Sequence, residues 1–279
     1  MELTIQIGQR EITVGKESVY KLLSVEGIEA SDYSVVLSEN AQLDGAFVAN
    51  KKVLPRTIDI SFDISDLDNT EAYRQLLISF LTPKKTGILT VSRNHVKRRI
   101  EFELQDVEFK QPHLYHILQV NLSLICADPY FRDGSDQIRE MMEKIPLFTF
   151  PFNSLQNVGV MMGFQRRIDT ITIENSGDTS IGIIAEMIAE GGSVTNPQVI
   201  CNQKFVKVID VMNVNDEIVI NTNQGNKTIT KNGKSSFKFD RRSIFFSIPV
   251  GTSNVTIIAD VNQDNMRSRL IYSLKYLGV

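Results

Sequence analysis

The sequence of 279 residues has no tryptophan, three histidines and two cysteines, and each scarcity closes off a class of function. The histidines are His95, His113 and His116. A Ser-His-Asp arrangement would have to draw on one of them, and no Gly-x-Ser-x-Gly elbow is present to receive it. His113 and His116 read as part of a plain loop; on a strand their spacing of three would turn them to opposite faces. No cysteine or carboxylate stands at a ligand spacing beside them, so no metal site is expected. A glycine-rich phosphate loop is missing, and no pair of carboxylates is nominated for glycoside hydrolysis. The chain therefore reads as a non-enzyme that needs no cofactor.

No apolar run approaches the ~20 residues that cross a bilayer, so membrane insertion is not expected. The opening MELTIQIGQREI lacks the basic region and apolar core of a signal peptide. Cys126 and Cys201 fall in different expected domains, which argues for two buried thiols made in a reducing cytosol and against a disulfide. A net charge of −3 and a pI near 5.7 leave no general nucleic-acid footprint. Residues 1–130 carry 14 Lys/Arg against 18 Asp/Glu and the remainder 16 against 15, so the acidic excess sits in the first half.

What is present is an ordinary globular composition, 42% hydrophobic and 23% charged, on a chain long enough for two cores. The organising stretch is residues 44–64, DGAFVANKKVLPRTIDISFDI. In its second half Ile58, Ile60, Phe62 and Ile64 alternate with Thr57, Asp59, Ser61 and Asp63, the period of a strand with one buried and one wet face. Its first half is a mixed-polarity arm from Gly45 through Asn50, Lys51 and Lys52 to Leu54 and Pro55. Pro55 cannot donate to a sheet ladder and suits the start of a strand. Short strands are expected at 2–7 and 10–14 around Gly8, then at 20–25 and 33–37. A helix follows, carried by Tyr73, Leu76, Leu77, Phe80 and Leu81. Leu67-Asp68-Asn69-Thr70 offers N-caps, Asp68 and Glu71 have roughly a capping-box spacing, and Thr82-Pro83 ends the helix. Strands at 87–91 and 100–104, then Val107 and Phe109, and a strand at 119–125 lead to Cys126-Ala127-Asp128-Pro129-Tyr130-Phe131. One helix laid on a largely antiparallel sheet is the expected layer.

Gly45, an arm, Arg56 and an alternating strand, followed by a helix ending before Pro83-Lys84 and a long strand closing on Asp128-Pro129-Tyr130, resemble the ring domain of siphophage distal tail proteins. The second half continues the resemblance. Residues 136–143, DQIREMME, read as a short helix, and residues 145–153, IPLFTFPFN, as an extended connector. From residue 170 some ten short strands separated by turn signals argue for a jelly-roll β-sandwich, Asn232-Gly233 being the strongest hairpin signal. Its pieces resemble the galectin-like domain of the same family: residues 173–178, residues 215–220, Pro249-Val250-Gly251, residues 254–257 and a final Tyr-bearing strand at 270–277. The expected architecture is thus mainly β, with a ring-forming domain at 1–144 and a galectin-like sandwich at 145–279.

What the resemblance implies is a structural part of the virion tail tip, made in the bacterial host cytoplasm. Its first domain would close a hexameric homo-oligomeric ring joining the tail tube to the baseplate. The partners implied are the tail-tube protein, the tape measure, a tail-associated tip protein and receptor-binding proteins, with DNA passing through unbound. Phe47, Val48, Lys51, Lys52 and Arg56 are the candidates for reaching the next protomer. Asp59, Asp63, Glu101 and Glu103 lie on wet strand faces and are the candidates for lining a channel that repels DNA. The basic runs Lys84-Lys85 and Lys97-Arg98-Arg99 read as solvated hairpins. A module that binds cell-wall polysaccharide is the alternative. Galectins stack sugars on a tryptophan that is absent here, and a fold alone does not confer that activity.

Overall fold

The structure, a computed structural model, describes residues 1–39, 44–113, 116–146 and 163–279. Two compact units emerge: Met1–Gly134 with Lys275–Val279, and Ser135–Leu274. The connector expected at 145–153 lies largely outside the described residues.

In the first unit, β1 (Glu2–Ile7) and β2 (Arg10–Gly15) form a hairpin in which Gly8 takes φ +65°, a conformation open to glycine at little cost. β3 (Tyr20–Glu26) meets β2 in parallel through the single pair Val14 and Tyr20. β4 (Tyr33–Glu39) and β5 (Ala46–Val53) pair with each other. β6 (Arg56–Ile64) is followed by α1 (Thr70–Phe80), and then by β7 (Gly87–Arg93), β8 (Val96–Lys110), β9 (Leu118–Cys126) and β10 (Phe131–Asp133). The expected largely antiparallel sheet is present, and it closes into a cycle, β1-β2-β3-β6-β9-β8-β7. Closure depends on β8: up to Phe102 it pairs with β7, and from Glu103 onward with β9. A strand of 15 residues can serve two neighbours in this way, and closure leaves few free edges. The alternation read in β6 is met in full, with Ile58, Ile60, Phe62 and Ile64 at 0% exposure. Each such side chain contributes about 1.5–3 kcal/mol by leaving water. Leu77 and Phe80 of α1 join the same core, and Tyr20 packs edge-on against both Phe62 and Tyr73.

The helix starts differently from the expected capping box. Asn69 is its N-cap and makes no side-chain capping bond. Asp66, three residues upstream of Asn69, accepts hydrogen bonds from the backbone N–H groups of Asp68 and Asn69 and orders the entry turn instead.

In the second unit, β11 (Gln137–Glu140) replaces the short helix expected at 136–143. It pairs with the later strand Met266–Tyr272, and Met141 behind it is buried with its N–H on the Ser268 carbonyl. A free ladder edge outweighed the helix preference of Arg, Glu and Met. β12 (Met142–Pro146) pairs with β13 (Gly163–Arg167). The remaining strands are β14 (Thr170–Asn175), β15 (Ile184–Ala189), β16 (Val194–Cys201), β17 (Lys204–Lys207), β18 (Val211–Met212), β19 (Glu217–Asn221), β20 (Thr228–Lys231), β21 (Lys234–Ser235), β22 (Gly251–Val261) and β23 (Met266–Tyr272). They form two antiparallel sheets, β11-β23-β15-β19-β20-β21 and β14-β22-β16-β17 with β18 beside β16. β15, β16, β22 and β23 each bury alternate residues, as the facing sheets of a sandwich do. Asn232 and Gly233 link β20 and β21 with φ of 51° and 75°, the two positive values a type I′ hairpin requires.

The last expected strand divides. β23 stays in the sandwich, whereas β24 (Lys275–Tyr276) pairs with β10 in the first unit.

Candidate functional site

Between β3 and β6 the chain leaves the barrel and returns, and the excursion is the β4–β5 hairpin. Its register runs from Tyr33 opposite Val53 to Glu39 opposite Ala46, with a shift between Val36 and Leu37. Among the described residues no third strand joins it. Tyr33, Val35, Val36, Leu37, Phe47 and Val48 are each about half exposed, at 47–60%. Two strands alone are marginally stable in water, and six large apolar side chains are costly to leave wet. Lys51 and Lys52 lie on the same hairpin and are exposed. Phe47, Val48, Lys51 and Lys52 thus share one projecting element. The sequence shows a strand at 33–37 but not that it is the arm's partner. The signal was there in YSVVL, an aromatic and β-branched run just ahead of the arm.

Arg56 is not part of that projecting surface. It is 2% exposed and ties together the hairpin's two roots. One Nη donates to the Gly27 carbonyl at 2.8 Å, and the other donates to Ser31 Oγ and to the Leu277 carbonyl. The guanidinium lies 4.9 Å from the Phe131 ring centroid. Burial lowers its pKa, and the neighbouring Cys126, Tyr33 and Asp32 work against that shift. Burial also pushes the Cys126 thiol up to about 12, so it is inert as a nucleophile at neutral pH. Gly27 has φ +82°, and a Cβ there would stand 2.1 Å from the Thr57 carbonyl oxygen; only glycine fits this root.

The second feature is the wet face of β3, β6, β9 and β8. Across it run three rows: Glu26, Asp59, Ser123 and Asp106; Ser24, Ser61, Asn121 and Glu108; Lys21, Asp63, Gln119 and Lys110. Asp59, Asp106 and Glu108 line a shallow cavity of ≈ 290 Å³ with Ser61, Asn121 and Ser123. Burial raises the Asp63 pKa, while bonds from Lys110 and Asn121 lower that of Glu108. Glu26 faces Asp59 directly, a like-charge pairing that costs sheet stability. Glu103 lies on this face, opposite Ile125, and accepts from Thr86 at 2.6 Å. Glu101 is exposed but paired with Arg132 at 3.3 Å. The bulge between Leu104 and Asp106 is what rotates Asp106 and Glu108 onto the face; plain alternation from Glu101 and Glu103 misses both.

The basic run at 97–99 is only partly solvated. Arg98 lies 3.7 Å from the Tyr276 ring centroid and donates to the Gly278 carbonyl. His95 sits with Asn94 in the β7–β8 turn, both at positive φ. His113 and His116 belong to a turn, in line with the loop reading, and their ring centroids are 5.3 Å apart. No group of three metal-ligating side chains forms among the described residues.

Residues 176–276 match the model of the siphovirus-type tail component, C-terminal domain. No curated protein sequence matches the chain. Among solved structures, the Dit protein (gp 19.1) of phage SPP1, described as a paradigm of the hub adsorption apparatus of phages infecting Gram-positive bacteria, is 12% identical. It aligns over 99% of both chains with a TM-score of 0.67. Chains of the phage p2 baseplate in its activated conformation, with calcium and with strontium, are 10% and 9% identical. They cover 100% of this chain and 99% of their own, with TM-scores of 0.56 and 0.57. The chain has the fold of these tail proteins along its length.

Proposed function

We propose that this chain is a structural hub of a siphophage tail tip, a distal tail protein that acts by assembly and not by catalysis. The observation that carries the reading is the β4–β5 hairpin, an apolar element that no third strand joins among the described residues. A head-to-tail contact of identical subunits buries such an element on the next copy and closes a ring when the rotation permits. The hexameric ring would continue the tail tube, with Phe47, Val48, Lys51 and Lys52 on the interface and Arg56 holding the root from within. The face of Asp59, Asp63, Asp106 and Glu108, with Glu103 beside it, would line the channel. Carboxylates there repel a DNA backbone and let it pass without sticking. The tail-tube protein, the tape measure, the tail-associated tip protein and receptor-binding proteins are the partners of this reading. Its place is the virion tail tip, after synthesis in the host cytoplasm.

The test is the native mass of the purified protein, with negative-stain microscopy and a pull-down on host cell walls. Rings without wall retention are the expected result. A protein that stays monomeric at high concentration and adheres to cell-wall polysaccharide would replace the hub with a carbohydrate-binding module.

A further inference from the structure

The chain is acidic overall, yet residues 227–242, KTITKNGKSSFKFDRR, hold six Lys/Arg against one Asp. In their midst Phe237 is 87% exposed, more than any other large apolar side chain among the described residues. The local structure keeps it there. Asp210 accepts from Lys231 and Lys238, both at 3.2 Å, so one carboxylate gathers two ammonium groups from either side of Phe237. The Ile209 N–H donates to the Lys238 carbonyl, and the Val211 carbonyl accepts from Lys231, so exposed Ile209 and Val211 adjoin the same ion cluster. Arg242 is paired with Asp240. Lys227, Lys234 and Arg241 are exposed, and no carboxylate is placed against them among the described residues.

We infer that this patch docks a protein partner that offers Phe237 an apolar pocket edged with carboxylates. An exposed aromatic with aliphatic neighbours inside a cationic rim is the anatomy of an interface hot spot. The excess cations name the sign of the partner's edge. A polyanionic chain fits less well: half of the six cations are already neutralised by Asp210, Asp216 and Asp240, and the feature that stands out is apolar. A neutral sugar also fits less well, because it would leave Lys227, Lys234 and Arg241 without a counter-charge.

The inference rests on the hub reading for its choice of partners. The full-length protein is tested by biolayer interferometry against the receptor-binding protein and the tail-associated tip protein of the same virion, each made singly. One of them is expected to bind. Phe237→Ala should weaken that binding about thirtyfold, and Lys234→Glu with Arg241→Glu should slow association and flatten its salt dependence. All three positions are exposed, so thermal midpoints should hold and exclude misfolding. Three results would overturn the inference: neither protein binds, Phe237→Ala binds as wild type, or the substitutions abolish only heparin binding or self-association. Ring formation is scored separately by negative stain. It tests the hub reading and has no bearing on the role of Phe237.

Discussion

Arg56 stands beside a proline at the start of an alternating strand, and nothing local says that it is buried. Its acceptors lie 29, 25 and 221 positions away, at Gly27, Ser31 and Leu277, so no window of sequence contains the reason for it. The alternating isoleucines of β6 needed only their neighbours to be read, which is why they were legible and the arginine's role was not. Replacing Arg56 with Met keeps much of the volume but strands three acceptors, the buried Ser31 hydroxyl and the partly buried Gly27 and Leu277 carbonyls. The expected loss is about 2–4 kcal/mol, read as a lower denaturation midpoint. Arg56→Lys should recover little, because a single ammonium cannot reproduce the guanidinium fork. Asp216 permits a pH test at the same scale. The Asn232 amide, the Asn213 N–H and the Lys231 ammonium hold its pKa down at about 2, from 3.8. A folded value below the unfolded one means that its contribution is complete above about pH 4 and fades as pH falls toward 2. In Asp216→Asn the loss of stability between pH 4 and 2 should be shallower than in wild type, and stability at pH 7 lower by about 1–3 kcal/mol. Urea titrations across that range measure both.

Elements were legible where local chemistry and tertiary pairing agree. Asn232-Gly233 demands positive φ twice and receives it, and α1 ends where Pro83 forbids its continuation. They were misread where pairing overruled preference. Residues 137–140 favour a helix in isolation but complete the edge of β23, and the bulge in β8 moves Asp106 and Glu108 by a shift that no period of two contains. The β4–β5 hairpin is the opposite case, an element whose own unit supplies almost no reason for it to be apolar. Phe47→Asp with Val48→Asp should therefore change the thermal midpoint little, since both side chains are about half in water already. The same pair should abolish higher-order assembly, because two carboxylates buried without partners cost more than such a contact yields. Sedimentation velocity of the two proteins at equal concentration decides it: assemblies that survive the substitutions would take the hairpin out of the interface.

At the scale of the molecule, the chain order and the order in space disagree once, and that disagreement sets how the protein unfolds. The first unit is made of residues 1–134 and is finished by residues 275–279, synthesised after the whole sandwich. Those five residues are held at every step. Lys275 bonds Asp128 at 2.9 Å, and Tyr276 lies under Arg98. The carbonyls of Leu277 and Gly278 accept from Arg56 and Arg98, and the Val279 N–H donates to the Ile28 carbonyl at 3.1 Å. Gly278 passes so close to the Glu29 carbonyl that a Cβ would stand 1.6 Å from its oxygen. Two cores in one chain need not melt together, so calorimetry should resolve a transition for each. Ending the chain at Leu274 should lower the barrel's transition, by about 3–5 kcal/mol for a buried charged network opened on one side. The sandwich's transition should stay in place, since β23 keeps its ladder with β15. Gly278→Ala should act in the same direction and spare the same transition. If truncation lowered the sandwich and left the barrel untouched, the closing segment would belong to the wrong unit. The anchoring of the hairpin through Arg56 and Leu277 would then need another explanation.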